Sequence, residues 1–248
     1  RADPAAADAE VFALMAEAVA GLNLRAATGD IGILTAAVNG LRTTEARRAA
    51  LLRHIWRPRR FRALLDRFAG RTPVPASRKA LLANPQPRLG AAPLIGVRTD
   101  AEIEARISAL HADAAAKPIS DGEMDLLDTL LNVRETVPFA LSQLRDLTVD
   151  MPSIADAVEG LAARSDALVA RGVDVDTLDF EASYGRTSME YYDGFVFGFY
   201  AAGRADLPAV VSGGRYDALT RRLGGGAEIP AVGAVLRPGL MAELEAGA

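Results

Sequence analysis

Three clusters in the last third of the chain gather residue types that bind small molecules. The first runs Tyr184-Gly185-Arg186-Thr187-Ser188-Met189-Glu190-Tyr191-Tyr192-Asp193-Gly194. Adjacent tyrosines ahead of an extended segment put one phenol on each face, with a carboxylate on either side. Such rings and hydroxyls can hold a planar, cationic or hydrogen-bonding ligand. Equally, both rings could pack on neighbouring helices with their hydroxyls in solvent. The second cluster is Ser212-Gly213-Gly214-Arg215-Tyr216-Asp217-Ala218-Leu219. Paired glycines at a strand end permit unusual dihedrals and let a ligand approach the backbone. Arg215 offers a bidentate fork to a carboxylate or phosphate, and Asp217 can orient it or receive an amine. The plain alternative is a glycine hairpin with a surface Arg–Asp pair. No phosphate-binding P-loop is present, because the Gly-Lys-Ser/Thr ending is missing. The third cluster, Leu223 to Gly233, reads as a mobile triple-glycine loop with Pro230 setting up a strand. Its spacing does not fit a dinucleotide fingerprint.

What surrounds these clusters narrows the chemistry. The chain has 248 residues, half of them hydrophobic and 24% charged, which is enough to bury a core and is ordinary for a globular protein. There is no cysteine. Disulfides, cysteine-bound zinc, iron–sulfur clusters and thiol nucleophiles are excluded, and a reducing compartment fits. His54 and His111 alone cannot make a His-rich metal site, so neither a metal nor a cofactor is expected. No apolar run approaches the roughly 20 residues that cross a bilayer. The opening lacks the basic start and apolar centre of a secretory signal, and a cytoplasmic location is expected. A net charge of −4 speaks against a nonspecific DNA binder. One stretch runs the other way: Arg53, His54, Arg57, Arg59, Arg60, Arg62 and Arg67. It is either a solvated helical face bent at Pro58 or a contact for phosphate or an acidic partner. Trp56, Phe61, Leu64 and Leu65, interleaved with it, need burial somewhere.

Periodicity supplies the elements that must carry the clusters. Asp3-Pro4 reads as a cap opening a helix through Val11, Leu14, Met15, Ala18 and Leu22. Arg25 to Ile33 reads as a strand entering a turn at Gly29-Asp30, with helical spacing from Leu34 to Leu41. A second helical group runs from Glu45 to Phe68, interrupted at Pro58. Gly70 to Gly96 is proline-rich and is either a linker or short helical turns such as Ser77 to Leu82. Helices follow over Ala101–Ala115, from the capping box at Ser120-Glu123, through Val137, Leu141 and Leu144, and from a second box at Ser153-Asp156. After Gly172 the period falls to two. Strands are expected over Val175–Phe180, through Phe195, Phe197 and Phe199, over Ala209–Ser212, and over Ile229–Leu236, before a short helix from Gly239 to Leu244. Short strands with short connections favour an antiparallel sheet. The fold class is α+β, with an early strand drawn back into the sheet and the middle helices inserted.

Taken together, MEYYDGFVF, SGGRYDAL and the glycine loop leading to IPAVG resemble the catalytic-domain C-terminal half of histidyl-tRNA synthetase. They resemble its non-synthetase paralogue, the regulatory subunit of ATP phosphoribosyltransferase, more closely. ADPAAADAEVFALMAEAV and TGDIGIL resemble the segment after the second class II signature. The resemblance implies a class II aminoacyl-tRNA synthetase-like antiparallel sheet flanked by helices, with a helical insertion at about residues 55–170. It also implies a core lacking its N-terminal part and no anticodon-binding domain. By the same resemblance Tyr191, Tyr192 and Tyr216 line a histidine pocket, and Arg215 and Asp217 hold or shape its floor. Glu190 stands where the synthetase has aspartate.

Departures from the family pattern point away from catalysis. The synthetase places an arginine four residues before its first paired tyrosine, where this chain has Thr187; Arg186 lies one position earlier. In the third motif Arg237 occupies a glycine position and Leu240 the position of an arginine that contacts ATP. An apolar side chain cannot replace a guanidinium there. The expectation is a regulatory subunit with no catalytic residues and histidine as its regulatory ligand. Such a subunit is dimeric and joins the catalytic subunit of short-form ATP phosphoribosyltransferase in a hetero-oligomer, with no membrane and no tRNA. Trp56, Arg57, Arg60 and Phe61 are the candidate partner surface. The alternatives are a histidyl-tRNA synthetase fragment and a non-catalytic structural or RNA-binding domain.

Overall fold

The computed structural model describes residues 3–84, 96–186, 190–227 and 229–246. Helix α1 (Pro4–Ala18) opens as its sequence leads one to expect: the Asp3 carboxylate accepts the Ala6 N–H at 3.1 Å and Pro4 takes the first helical position. Strand β1 (Leu24–Asp30) then enters α2 (Ile31–Gly40) directly, without the turn expected at Gly29-Asp30. Asp30 ends the strand and caps the helix, its Oδ1 accepting the Gly32 N–H at 2.8 Å. Next come α3 (Glu45–Arg53) and α4 (Pro58–Phe68), parted before Pro58. Helix α5 (Ala76–Ala83) lies within the proline-rich stretch, whose Ser77–Leu82 portion is therefore helical, and α6 (Asp100–Ala115) follows the stretch. Pro85, Pro87 and Pro93 lie outside the described residues.

Helix α7 (Asp121–Leu131) opens on the Ser120–Glu123 box with both arms closed. A three-residue strand, β2 (Arg134–Thr136), precedes α8 (Val137–Asp150); its length gives no periodic signal. The second expected box does not form. Pro152–Ile154 makes a 3₁₀ turn, the Ser153 side chain packs against Gly40, and α9 (Ala155–Val169) starts with no side-chain cap. Strand β3 (Asp179–Glu181) is shorter than the expected Val175–Phe180. The Asp174 carboxylate folds the residues before it into a turn, accepting the Asp176 N–H at 3.1 Å and the Thr177 hydroxyl at 2.8 Å. Strands β4 (Phe195–Ala201) and β5 (Val211–Arg215), helix α10 (Asp217–Leu223), strand β6 (Val232–Leu236) and helix α11 (Pro238–Ala246) complete the order.

The strands form one sheet in the order β2-β3-β1-β4-β5-β6. Every pair is antiparallel except β1 with β3, which corrects the expectation of a purely antiparallel sheet. The helical crossover between these two strands brings the chain back in the same direction, which is what a parallel pair requires. The early strand sits mid-sheet, between β3 and β4. Alternation along β4 gives the sheet two unlike faces. Phe195, Phe197 and Phe199 point toward α1, where their rings surround Phe12 at centroid distances of 6.3, 5.2 and 5.1 Å. Val196 and Gly198 lie on the opposite face, in register with Gly214 and Ser212 of β5. That second face, bared by glycines, carries the tyrosines.

Candidate functional site

Tyr191, Tyr192 and Tyr216 converge at one end of the glycine-bared face. The Tyr191 and Tyr192 rings lie 4.7 Å apart, and Tyr191 meets Tyr216 edge-on at 5.8 Å and 88°. Gly214 and Gly233 face each other across β5 and β6 beneath them. A Cβ on Gly214 would stand 2.7 Å from the Tyr192 ring, and one on Gly233 3.1 Å from the Tyr216 hydroxyl. Neither glycine has a positive φ. Their role is to admit rings, in place of the unusual dihedrals the sequence suggested. The two readings of the tyrosine pair divide between its members. Tyr192 is core, at 4% exposure, whereas Tyr191 and Tyr216 are half-buried. Burial, and then the neighbouring Tyr191 phenol, pushes the Tyr192 hydroxyl above its ordinary pKa.

Arg215 is not a surface residue, and β5 does not turn back as a hairpin there. The strand runs on through Tyr216 into α10. The Arg215 guanidinium donates to Asp8 Oδ1 at 3.0 and 2.7 Å, to the Pro4 carbonyl at 3.1 Å, and to both Asp217 oxygens at 3.2 and 3.1 Å. Five hydrogen bonds to four acceptor atoms engage all three guanidinium nitrogens, so no fork is left for a ligand. Asp217 in turn accepts the Ala231 N–H at 2.7 Å, tying down the end of the glycine loop. Asp193 accepts the N–H groups of Asp217 and Ala218 at 3.1 and 2.5 Å, capping α10 from the far side of β4. The tyrosine motif and the Gly-Gly-Arg-Tyr-Asp motif are therefore one constellation.

The basic segment joins it as well. Trp56 Nε1 donates to the Tyr192 carbonyl at 3.2 Å, and Arg57 grips both Glu190 carboxylate oxygens at 3.1 Å. Arg186 is 4% exposed; its Nε donates to the Ile55 carbonyl at 2.8 Å and its guanidinium lies 4.7 Å from the Phe61 ring. Burial without a partner carboxylate pulls its pKa down to about 10. Phe61, expected on a partner surface, is 1% exposed and belongs to the core, because α4 turns Phe61, Leu65 and Phe68 inward. Arg60 is exposed. Thr187 lies outside the described residues.

Two charged groups escaped the sequence reading. Arg164 donates to Asp8 at 3.2 Å and to Asp30 at 2.5 Å, all three at most 9% exposed. Their signal was there: Arg164 falls between Leu161 and Leu168 at three- and four-residue spacing, and Asp8 lies four residues before Phe12. A charge on an apolar stripe needs a buried partner.

Residues 97–239, more than half of the chain, match the family described as histidyl-tRNA synthetase. The chain belongs to the histidyl-tRNA synthetase family. Within it, the chain is 33% identical over 145 residues to the ATP phosphoribosyltransferase regulatory subunit of Brucella anthropi, a match covering 58% of this chain and 38% of that protein. The regulatory subunit of Brucella abortus is 33% identical over 137 residues, covering 55% and 36%. The chain thus matches well under half the length of these relatives. The fold is shared with an ATP phosphoribosyltransferase regulatory subunit/histidyl-tRNA synthetase from Bacillus halodurans, at TM-score 0.60 and 22% identity over 97% of this chain and 50% of that one. It is shared too with histidyl-tRNA synthetase from Nostoc, at TM-score 0.59 and 18% identity over 98% and 48%.

Two positions matter against the histidyl-tRNA synthetase family pattern. Arg237 donates to the Ala209 carbonyl at 2.8 Å and the Ser212 hydroxyl at 3.2 Å, stitching β6 to the start of β5. Leu240 packs against the hydrophobic core. Among the described residues, no group of three or more His, Asp or Glu side chains could hold a metal, and no helix is long and apolar enough to cross a membrane.

Proposed function

We propose that this chain serves as a regulatory subunit of short-form ATP phosphoribosyltransferase, binding histidine at the tyrosine cluster while catalysis resides in the partner. That partner joins ATP to phosphoribosyl pyrophosphate in the first step of histidine biosynthesis, in the cytoplasm. The observation that carries this reading is a contrast between two halves of one constellation. The tyrosine cluster keeps its glycine floor, while the position of the ATP-contacting arginine holds Leu240, partly buried against the core. The relatives bearing the regulatory-subunit name support the same choice.

In this reading Tyr191 and Tyr216 touch the imidazole, with ring edges and phenols suited to a flat heterocycle. Arg215 and Asp217 shape the floor from beneath, their hydrogen bonds already used. Histidine inhibition is a difference in free energy between assembled states of a regulatory dimer bound to the transferase. Calorimetry on full-length protein should detect histidine and show weaker binding after Tyr191→Phe or Tyr216→Ala. Unchanged affinity in both folded variants would move the pocket elsewhere. Mixing with the transferase should alter its activity, and histidine should reverse that change; a folded protein that neither associates nor changes activity sinks the regulatory role.

The family's own name favours a second reading, a histidyl-tRNA synthetase fragment. Adenylate formation needs positive charge where phosphate charge develops, and Leu240 supplies none. Pyrophosphate exchange with histidine and ATP separates the two readings: robust exchange by pure full-length protein restores the enzyme.

A further inference from the structure

Strand register places a guanidinium beside the tyrosine cluster, on the same face of the sheet. Gly214 lies opposite Gly233 and Ser212 opposite Val235 across β5 and β6, and Gly198 of β4 lies opposite Ser212 on its other side. The Arg237 N–H donates to the Val210 carbonyl at 2.9 Å, carrying the ladder one step past the end of β6. Alternation therefore sets Arg237 on the face of Gly233 and Val235. Its Nη1 donates to the Ser212 hydroxyl at 3.2 Å, and the Tyr184 hydroxyl stands over Gly198 in the same row. Ser212 is two residues from Gly214, the floor of the cluster, a step of about 7 Å along an extended strand.

The guanidiniums around the cluster differ in what they have left to give. Arg215 spends all three nitrogens on this chain, Arg57 grips Glu190, and Arg25 is paired with Asp179. Arg237 is half-buried and uses Nη1 alone, on the Ala209 carbonyl and the Ser212 hydroxyl. Among the described residues it has no ion pair, and its Nε and Nη2 meet no acceptor. Neither atom is among the buried groups that lack a partner, so both are open to solvent. One nitrogen thus anchors a positive charge whose other two remain available. Such a fork matches a carboxylate.

We infer that Arg237 holds the carboxylate of an α-amino acid whose side chain enters the tyrosine cluster, and so selects the amino acid over the corresponding amine. This rests on the reading that the cluster takes an imidazole. The step from Gly214 to Ser212 is comparable to the span of histidine from ring to carboxylate. The Ser212 hydroxyl accepts from Arg237 and keeps its own proton to donate to the same ligand group. A single guanidinium balances a carboxylate, whereas a polyphosphate would leave most of its charge unmet.

Calorimetry on full-length protein with histidine and with histamine, which lacks only the carboxylate, tests the inference. Wild type should bind histidine at least about tenfold more tightly, as a charge-assisted hydrogen bond provides, and added salt should narrow the gap. Arg237→Met should abolish the preference by weakening histidine while histamine binds as before or more tightly. Arg237→Lys should keep part of it. A purely structural role would weaken both ligands together. Should Arg237→Met misfold, Val235→Asp, at a position 49% exposed, sets a negative charge beside the guanidinium and should erase the same preference. The two ways of failing are distinct. If Tyr191→Phe and Tyr216→Ala weaken both ligands, the cluster holds the ring. Arg237 is then overturned as the carboxylate site by a wild type without the preference, or by folded Arg237→Met or Val235→Asp protein that keeps it. If neither ligand binds, or both ignore the tyrosine substitutions, the reading of the cluster fails and this inference falls with it.

Discussion

Tyr192 has exchanged water for the Gly214 backbone and the Tyr191 ring, and its phenol titrates higher as a result. Tyr184 shifts the same way, through burial and then its hydrogen bond to the Tyr200 hydroxyl at 2.8 Å. A pKa raised in the folded state means that the fold holds the proton more tightly than the open chain does. The contribution is therefore complete below the ordinary phenol pKa of about 10 and is lost as the pH climbs beyond it. Denaturation midpoints should fall above that pH, and Tyr192→Phe should flatten the fall. Parallel curves for wild type and variant would remove Tyr192 as the cause. A second substitution probes the join to α3: Trp56→Phe removes the donor to the Tyr192 carbonyl and should cost about 1 kcal/mol in urea melts. At this scale the tyrosines and the Arg-Tyr-Asp triplet were legible because their types are unusual together. What the triplet does was not, since the partner that saturates Arg215 lies more than two hundred residues away on α1.

The glycines of β5 and β6 set how close the tyrosines come to the sheet. Gly214→Ala would drive a methyl group into the Tyr192 ring and the Phe195 carbonyl, each 2.7 Å from the new carbon, and backbone cannot give way as a side-chain tip does. A loss of about 1–3 kcal/mol is expected, together with weaker histidine binding. Thermal melts and calorimetry read the two effects separately; a variant as stable as wild type would place slack where none is described. Capped helices were the most legible elements, as Asp3 and Ser120 show, because a cap is chemistry written within four residues. Strand ends were less so. Asp30 serves β1 and α2 at once, and β2 owes its existence to pairing with β3, for which three residues carry no pattern. The Ser153 box failed because Pro152 and the neighbouring Gly40 claimed the serine first.

Across the whole molecule, Asp8 and Asp30 meet Arg164 and Arg215 beneath the sheet, binding α1, β1, α9 and β5 into one buried lattice. Removing one member strands charge in a dry place. Asp8→Ala should cost about 3 kcal/mol, and a second change, Arg215→Met, should recover part of it by withdrawing the stranded guanidinium. Equilibrium unfolding of the single and double variants measures the coupling, and strict additivity would show that the two residues do not share a lattice. The Phe12 stack fastens the same helix by apolar contact. Because α1 begins the described chain and β5 comes near its end, these contacts span most of the sequence and form late in any search that proceeds by local steps.

The Trp56 indole has an optical consequence. It is the chain's only tryptophan, and its N–H rests on the backbone of the tyrosine pair. All tryptophan emission from the chain therefore arises one hydrogen bond away from the candidate pocket, within energy-transfer range of its phenols. Movement of Tyr191 or Tyr192 on ligand entry should register as a change in colour or lifetime without any label, so the protein carries its own reporter for the site.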